Sequence, residues 1–373
     1  MSRFRAFAVL VGLSATLSWA APASAQELTK LRALLVIDPE VHQSGEADRD
    51  TIKALLLANI PPDRLELEVY EGTDACRDKI RRFFGGPANA GQEAALLYIS
   101  AHGAIRPSDR EHVIQLTGQS ILGRKAELID RSDLRALLTA RNPGLAVLLT
   151  DACSNYEPGL NALATPRGAK NPPAQVAPGF RKLFFLSRGL VDINGSTEGH
   201  RGWADEQEGG LFTRSLGGVL SSRKGDPTVS WNDAYLKLRF ATEDAYKEYK
   251  PRELQRGGAA RAPGADEEMK ALTEQKTQSP QAYKLPENSL GLVLVGLGGG
   301  VGVRVRSVLL DSPAQKAGLR LDDNITDVNG QAVGTVADWN RVTATATAGS
   351  GASLRLKVRG SDKQDRVVVL QVP

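Results

Sequence analysis

Cysteine is almost missing from this chain. Among 373 residues only Cys76 and Cys153 occur, which excludes a small scaffold stapled by several disulfides. Histidine is scarce as well, at His42, His102, His112 and His200. None of the four stands at metal-ligand spacing from another histidine or a cysteine, so no zinc centre is expected. Charge of one sign is not in excess either. The formal net charge is +4, and Arg3 and Arg5 in the first 25 residues supply two of those charges, leaving +2. That is too near neutral to imply nucleic acid or an acidic membrane as partner. Beyond residue 25 no apolar run approaches the roughly 18 residues of a spanning helix.

What is present begins with a leader. Arg3 and Arg5 precede an apolar stretch from Ala6 to Ala20, and Ala23-Ser24-Ala25 forms a small-x-small cleavage site before Gln26. The pattern is that of a secretory signal peptide over residues 1–25, with a retained anchor as the alternative. The expected mature protein is exported, periplasmic or secreted, with no membrane span left. Export also makes a Cys76–Cys153 disulfide an alternative to two free thiols. With 41% hydrophobic residues the chain can bury a substantial core and is expected to hold two domains.

Residues 31–249 alternate in the manner of an α/β domain. Strands are predicted over 31–37, 65–70, 94–100, 146–150, 182–187 and 190–194. Helices are predicted over 51–57 with Asp50 as N-cap, and over 74–84, 131–139, 211–220 and 231–249. Consecutive buried strands joined by helices imply a mostly parallel sheet covered on both faces. The long loop 156–179, rich in Pro, Gly and Ala, has the length of a functional or disordered segment. Residues 251–286 are polar and charged and are predicted as an interdomain linker.

Two predicted strands end in chemistry. Leu96-Leu97-Tyr98-Ile99-Ser100-Ala101-His102-Gly103 carries a histidine past an apolar run, and Leu148-Leu149-Thr150-Asp151-Ala152-Cys153 does the same for a cysteine. Open parallel sheets gather active sites at the carboxyl ends of their strands. A thiol with an ordinary pKa of about 8.5 is mostly protonated at neutral pH and needs a base or a positive neighbour. His42 and His200 lie in polar stretches, and His112 starts a strand-like segment without a glycine partner. His102 precedes Cys153 by 51 residues, close to the separation of roughly 50 found in caspases.

On these residues the chain resembles the caspase and metacaspase cysteine peptidases over about 31–249. Glu208-Gly209-Gly210-Leu211-Phe212-Thr213 is similar to the segment that opens the family's late helix. The resemblance implies an α/β fold, a caspase-like mostly parallel sheet flanked by helices. It assigns His102 as general base, Cys153 as nucleophile and Gly103, with the Cys153 N–H, as oxyanion donor. It also implies cleavage after Arg or Lys, with Asp151 pairing the basic side chain. Asp50 falls roughly where metacaspases place a second pocket acid. Each acid has a plainer reading, Asp151 as a hydrogen-bonded strand end and Asp50 as a helix cap. Ser154-Asn155-Tyr156 departs from the His-Ser-Gly that usually follows the metacaspase cysteine, which bears on the pocket's geometry and basic specificity. Calcium activation, seen in some relatives, does not follow from the scattered acids, and no cofactor is expected. Arg167 and Lys170 in the loop suit self-cleavage by a basic-specific enzyme. In the implied sheet order, the strands before Cys76 and Cys153 lie about 14 Å apart. That exceeds the roughly 7 Å a disulfide allows between Cα atoms, so Cys76 is expected to pack in the helix 75–84.

After residue 286 the character changes to short β segments over 303–308, 325–328, 353–358 and 366–372, with helices over 312–317 and 336–343. Gly296-Leu297-Gly298-Gly299-Gly300-Val301-Gly302 is no dinucleotide loop, because a strand and not a helix follows it. It reads as a hairpin loop. The region 287–373 resembles a PDZ domain, a small β-barrel with two helices. Leu290-Gly291-Leu292 sits at the family's carboxylate-binding loop and Val293–Val295 at its peptide-pairing strand. Ser312-Pro313-Ala314, Ala317-Gly318-Leu319 and Asp327-Val328-Asn329-Gly330 match its landmarks. The implied ligand is a C-terminal peptide, alongside the peptide or protein substrate. Two other readings stand beside the peptidase: an inactive caspase-like scaffold, and a cysteine hydrolase of non-peptide amides.

Overall fold

The computed structural model describes residues 26–38, 42–72, 75–85, 91–116, 127–153, 172–205, 207–256, 265–286, 290–309, 312–346, 351–361 and 363–372. The leader 1–25, the Ser154-Asn155-Tyr156 departure, and Arg167 and Lys170 lie outside them.

The first unit opens with β1 (Lys30–Ile37), α1 (His42–Asn59), β2 (Leu65–Glu71), α2 (Arg77–Gly85) and β3 (Glu93–Ser100). A small antiparallel layer follows, of β4 (Gly103–Ile105), β5 (His112–Gln115) and β6 (Leu128–Asp130), and then α3 (Arg131–Thr139) and β7 (Leu145–Asp151). Next come α4 (Pro178–Phe180), which continues as a π-helical turn over Arg181–Leu186, then β8 (Gly189–Asn194) and the short pair β9 (Ala204–Asp205) and β10 (Gly209–Gly210). The unit closes with α5 (Leu211–Arg223), α6 (Trp231–Arg256), α7 (Ala265–Glu274) and β11 (Gln281–Lys284). The main sheet has six strands in the order β11-β8-β7-β3-β1-β2. All neighbours pair in parallel except β11, which runs antiparallel to β8.

Strand alternation assigns side chains to two cores. Leu34, Leu97 and Leu148 share one register line and pack with Ile80 and Phe83 of α2 and Leu134 and Leu138 of α3. One residue on, Leu35, Tyr98 and Leu149 face the other way, against α1, α5 and α6 through Ile52, Phe212 and Tyr235. Helices cover both faces, so the central strands read as unbroken apolar runs.

The second unit contains β12 (Leu292–Gly296), β13 (Val303–Val308), α8 (Pro313–Lys316), β14 (Asn324–Val328), β15 (Gln331–Ala332), α9 (Val336–Ala346), β16 (Ser353–Arg359) and β17 (Asp365–Gln371). Its antiparallel sheet runs β12-β13-β14-β16-β17, and the glycine-rich segment joins β12 to β13 as a hairpin. The unit rests on α6. Arg306 pairs with Glu243 at 3.0 Å and lies over the Phe240 ring at 4.9 Å, while Val293 and Leu309 join the first unit's core. The expected fold class is therefore observed: a mostly parallel sheet flanked by helices, followed by an antiparallel β domain with two helices.

Three expectations are corrected. Of the strand expected over 182–187, residues 182–186 are helical and Ser187 is the extended cap; an apolar run as short as Leu183-Phe184-Phe185 has no period that separates helix from strand. The helix predicted from residue 51 starts at His42, which places Asp50 inside α1 and not at its cap. The linker 251–286 holds the end of α6, which continues through Pro251, and then α7 and β11. Its polar composition hid these elements because side-chain hydrogen bonds, and not apolar area, hold much of the segment.

Beneath the carboxyl end of the sheet Arg131 is wholly buried. Its Nε donates to Asp192 of β8 at 3.0 Å, its Nη1 to the Thr150 hydroxyl, and the Tyr283 ring lies 4.9 Å from its guanidinium. Removing one partner of a buried ion pair strands the other charge. Asp192→Ala is expected to lower the unfolding free energy by about 3–5 kcal/mol, read from urea midpoints; a loss under about 1 kcal/mol would show that Arg131 finds water or another acceptor.

Candidate active site

Ser100 of β3 pairs with Asp151 of β7. His102 and Cys153 each follow that matched pair by two residues and leave the sheet level with each other. The Ala101 N–H donates to the Asp151 carbonyl at 3.2 Å, which carries the contact past the sheet's end. Gly103 lies against the cysteine backbone. A Cβ there would stand 2.6 Å from the Cys153 carbonyl oxygen and 3.0 Å from His112 Nε2, so only glycine permits this approach. His102 and Cys153 are half-buried. Both cysteines are free thiols, and Cys76 precedes α2, where it is half-buried.

The backbone around Cys153 is held at several points. The Ala152 carbonyl accepts from Ser196 Oγ at 2.9 Å and Asn194 Nδ2 at 3.2 Å. Asn194 in turn accepts from the Thr150 hydroxyl at 2.6 Å, which links this grip to Arg131 and Asp192. The Cys153 carbonyl accepts from His112 Nε2 at 2.9 Å. The Cys153 thiol donates to the Gly202 carbonyl at 3.5 Å. Burial pushes this thiol above its ordinary range, against the Gly202 backbone and the positive charge of Arg201, which pull it down.

The rim that carries Gly202 is itself tied down. Gln275 accepts from the Arg201 N–H and donates to the Arg201 carbonyl, both at 2.9 Å. Gln278 accepts from the Trp203 N–H at 2.9 Å and donates to the Gly195 carbonyl at 3.1 Å. Two glutamines from the segment expected to be a linker thus bracket Gly202. Their role lies in contacts more than 70 residues away along the chain, which no local pattern encodes.

Asp151 is buried beneath the cysteine, where its Oδ2 accepts from the Thr213 N–H at 3.1 Å and the Thr213 hydroxyl at 2.7 Å. The acid that faces it is Asp48 and not Asp50. Asp50 pairs with Arg49 at 2.7 Å. Asp48 is buried and accepts from Ser100 Oγ at 2.8 Å and the Gly210 N–H at 2.7 Å. Helical spacing carries the signal: 48, 52, 55 and 56 lie on one face, and Ile52, Leu55 and Leu56 are core residues. A helix expected only from residue 51 hid that face. Gly209 and Gly210 close over the two carboxyls. A Cβ at Gly210 would stand 2.0 Å from Asp151 Oδ2, and one at Gly209 2.4 Å from Asp48 Oδ1. Burial, with the Asp151 charge beside it, pushes Asp48 well above the usual carboxylate range. Burial likewise pushes Asp151 up to about 6, with the Thr213 hydrogen bonds opposing.

His112 is the other position where the structure departs from expectation. It lies against the cysteine, whereas the sequence offered no reason to place it at the site. In the second unit Leu290 and Leu292 are buried. Gly291 has φ +75°, and a Cβ there would stand 2.1 Å from Ser312 Cβ, so both conformation and space require glycine. The β12 strand lies at the edge of its sheet. Among the described residues no group of three or more His, Cys, Asp or Glu is placed to hold a metal, and no helix is long and apolar enough to cross a membrane.

The arrangement defines a mixed α/β unit with a histidine and a cysteine at neighbouring strand ends, joined to a small antiparallel β unit. Residues 275–370 match the family model described as PDZ domain, so this chain contains a PDZ domain, and the match begins ahead of the expected boundary at 287. Among solved structures the chain is similar to caspase-1 from Spodoptera frugiperda, at 10% identity and a TM-score of 0.43, over 72% of this chain and 94% of that one. It is also similar to the HtrA3 PDZ domain bound to a phage-derived ligand (FGRWV), at 22% identity and a TM-score of 0.19, over 22% of this chain and 83% of that one. No curated protein matches the chain. These structural likenesses assign no role to any residue, and the site is read from its own geometry.

The buried acids make a pH prediction. A carboxyl whose folded pKa is raised costs nothing below its unfolded value, 3.8 for Asp151, and its full cost appears above the folded value near 6. Asp48→Asn removes one of the two. Relative to the unsubstituted protein it is expected to gain on the order of 1–3 kcal/mol of stability between pH 4.5 and 7.5, read from urea unfolding at both values. A difference that stays flat with pH would show that Asp48 is not destabilised by burial.

Proposed function

We propose that this chain is a cysteine peptidase that uses His102 and Cys153, with the PDZ domain recruiting substrates or partners. The supporting observation is the level exit of His102 and Cys153 from paired strands, with Gly103 lying on the cysteine backbone. His102 takes the thiol proton and the thiolate attacks the scissile carbonyl carbon. The N–H groups of Gly103 and Cys153 receive the oxyanion. His102 then gives its proton to the leaving amine, and a water that it deprotonates hydrolyses the thioester. A thiol whose pKa is raised requires such a base, because its own ionisation is disfavoured.

Cleavage after Arg or Lys follows from the acids beneath the cysteine. Asp151 and Asp48 are two carboxyls buried together, and the complement of their acidity is a guanidinium or ammonium. Gly209 and Gly210 close over these carboxyls, so entry of a basic side chain requires this segment to shift. In the PDZ domain a peptide would add as a strand along β12, its carboxylate at Leu290-Gly291-Leu292. The leader pattern of residues 1–25 supports export of the mature protein. A catalytically inactive scaffold is the second reading, and the raised thiol is the observation that favours it.

The test incubates the mature protein with a positional peptide library, with and without calcium. Hydrolysis after Arg or Lys is expected, lowered by about a thousandfold or more in Cys153→Ala and in His102→Ala. Asp151→Asn is expected to lower the preference for Arg over neutral residues by about tenfold. An arginyl electrophile is expected to label Cys153. Absence of both hydrolysis and labelling would establish the scaffold.

A further inference from the structure

His112 is a buried ionisable side chain that the proposed chemistry leaves unused. It lies on β5, 2% exposed, in the hairpin that starts immediately after His102. Ile105 of β4 pairs with His112, and the Gln115 N–H donates to the His102 carbonyl at 2.9 Å. His112 Nε2 meets the Cys153 carbonyl oxygen at 2.9 Å. A carbonyl oxygen only accepts, so Nε2 carries the proton. The ring is neutral, because burial and the charge of Arg131 push its pKa down to about 3. Its Nδ1 is buried without a hydrogen-bond partner among the described residues. A stranded lone pair is destabilising, and an apolar ring of similar size would avoid it. What an apolar ring lacks is the N–H on Cys153.

We propose that His112 is a positioning residue for the nucleophile, holding the Cys153 carbonyl and tying the cysteine backbone to the hairpin that carries His102. Ser196 and Asn194 hold the Ala152 carbonyl, which fixes the peptide plane entering Cys153. His112 holds the plane leaving it. With both planes fixed, the direction of Sγ is reduced to one staggered torsion, and the Cys153 N–H keeps its aim. His102 and His112 belong to one small hairpin, so the base and the grip on the nucleophile move together. A displacement of about 1 Å at a reacting atom can cost about a hundredfold in rate.

The inference rests on the peptidase reading for its effect on catalysis, but not for its effect on the thiol. The test compares His112→Phe and His112→Met, which lack the donor, with His112→Gln, whose Nε2 reaches as far and keeps it. Three quantities are read: kcat and KM on an arginyl peptide, the rate of Cys153 alkylation by iodoacetamide followed by mass spectrometry, and the thermal midpoint. The donor-less variants are expected to lose tenfold or more in kcat with KM within about twofold, and to alkylate Cys153 several-fold more slowly at pH 7. The Gln variant is expected to recover both to within about threefold. The proposal is overturned if Phe, Met and Gln variants all match the unsubstituted protein. It is also overturned if all three lose activity in parallel with their thermal midpoints, which would make His112 a packing residue. If the unsubstituted protein hydrolyses nothing while His112→Phe still slows alkylation and His112→Gln restores it, the peptidase reading fails and the positioning role stands.

Discussion

Side chains on a parallel strand alternate between two faces, so β3 cannot slip past β7 by one residue without turning Leu97 out of one core and into the other. Burial on both faces fixes the pairing of Ser100 with Asp151 at the strand ends. His102 and Cys153 inherit their common level from that pairing. Gly103 allows the two backbones to approach until no Cβ would fit between them. The position of the candidate dyad is thus set by apolar packing several residues away from it.

Polar groups then refine what the sheet provides. Asp192, Arg131, Thr150 and Asn194 form a buried chain of hydrogen bonds that ends on the Ala152 carbonyl. Buried polar groups of this kind stabilise little on balance, since desolvation offsets most of the attraction, but they impose a definite geometry. Here that geometry serves the residue before the nucleophile. Gln275 and Gln278 do the same for the rim at Gly202, from the start of the range that matches the PDZ family model. That segment also supplies β11 to the main sheet, where the Tyr235 hydroxyl of α6 accepts from the Ala282 N–H at 3.2 Å and lies 3.0 Å from the Pro280 carbonyl, and the same hydroxyl lies 3.3 Å from Ser307 Oγ of β13 in the second unit. Hydrogen bonds thus run from the rim through this segment and α6 to the second unit.

Much of this was legible in the sequence where one physical rule acts alone. Strands buried on both faces give continuous apolar runs, so β1, β3 and β7 were plain, and the residues that ended β3 and β7 pointed to the site. The alternation along β16 and β17 and the landmark turns gave the antiparallel unit. The run 181–186 was not legible, because a fully buried helical turn and a buried strand share one composition. Asp48 stayed hidden behind Asp50 because the polar first turns of α1 fell outside the helix expected from residue 51, so its place on the face of Ile52, Leu55 and Leu56 was missed. His112, Gln275 and Gln278 owe their roles to partners distant in sequence, which are a property of the folded chain only.

The account's central claim is that the His102 imidazole acts on the Cys153 sulfur, and the most direct measurement is the pH dependence of Cys153 alkylation in the unsubstituted protein and in His102→Ala. Alkylation that proceeds at neutral pH is predicted for the former, and alkylation confined to alkaline pH for the latter. Identical profiles in both proteins, each rising only at the alkaline pH of an isolated buried thiol, would contradict it.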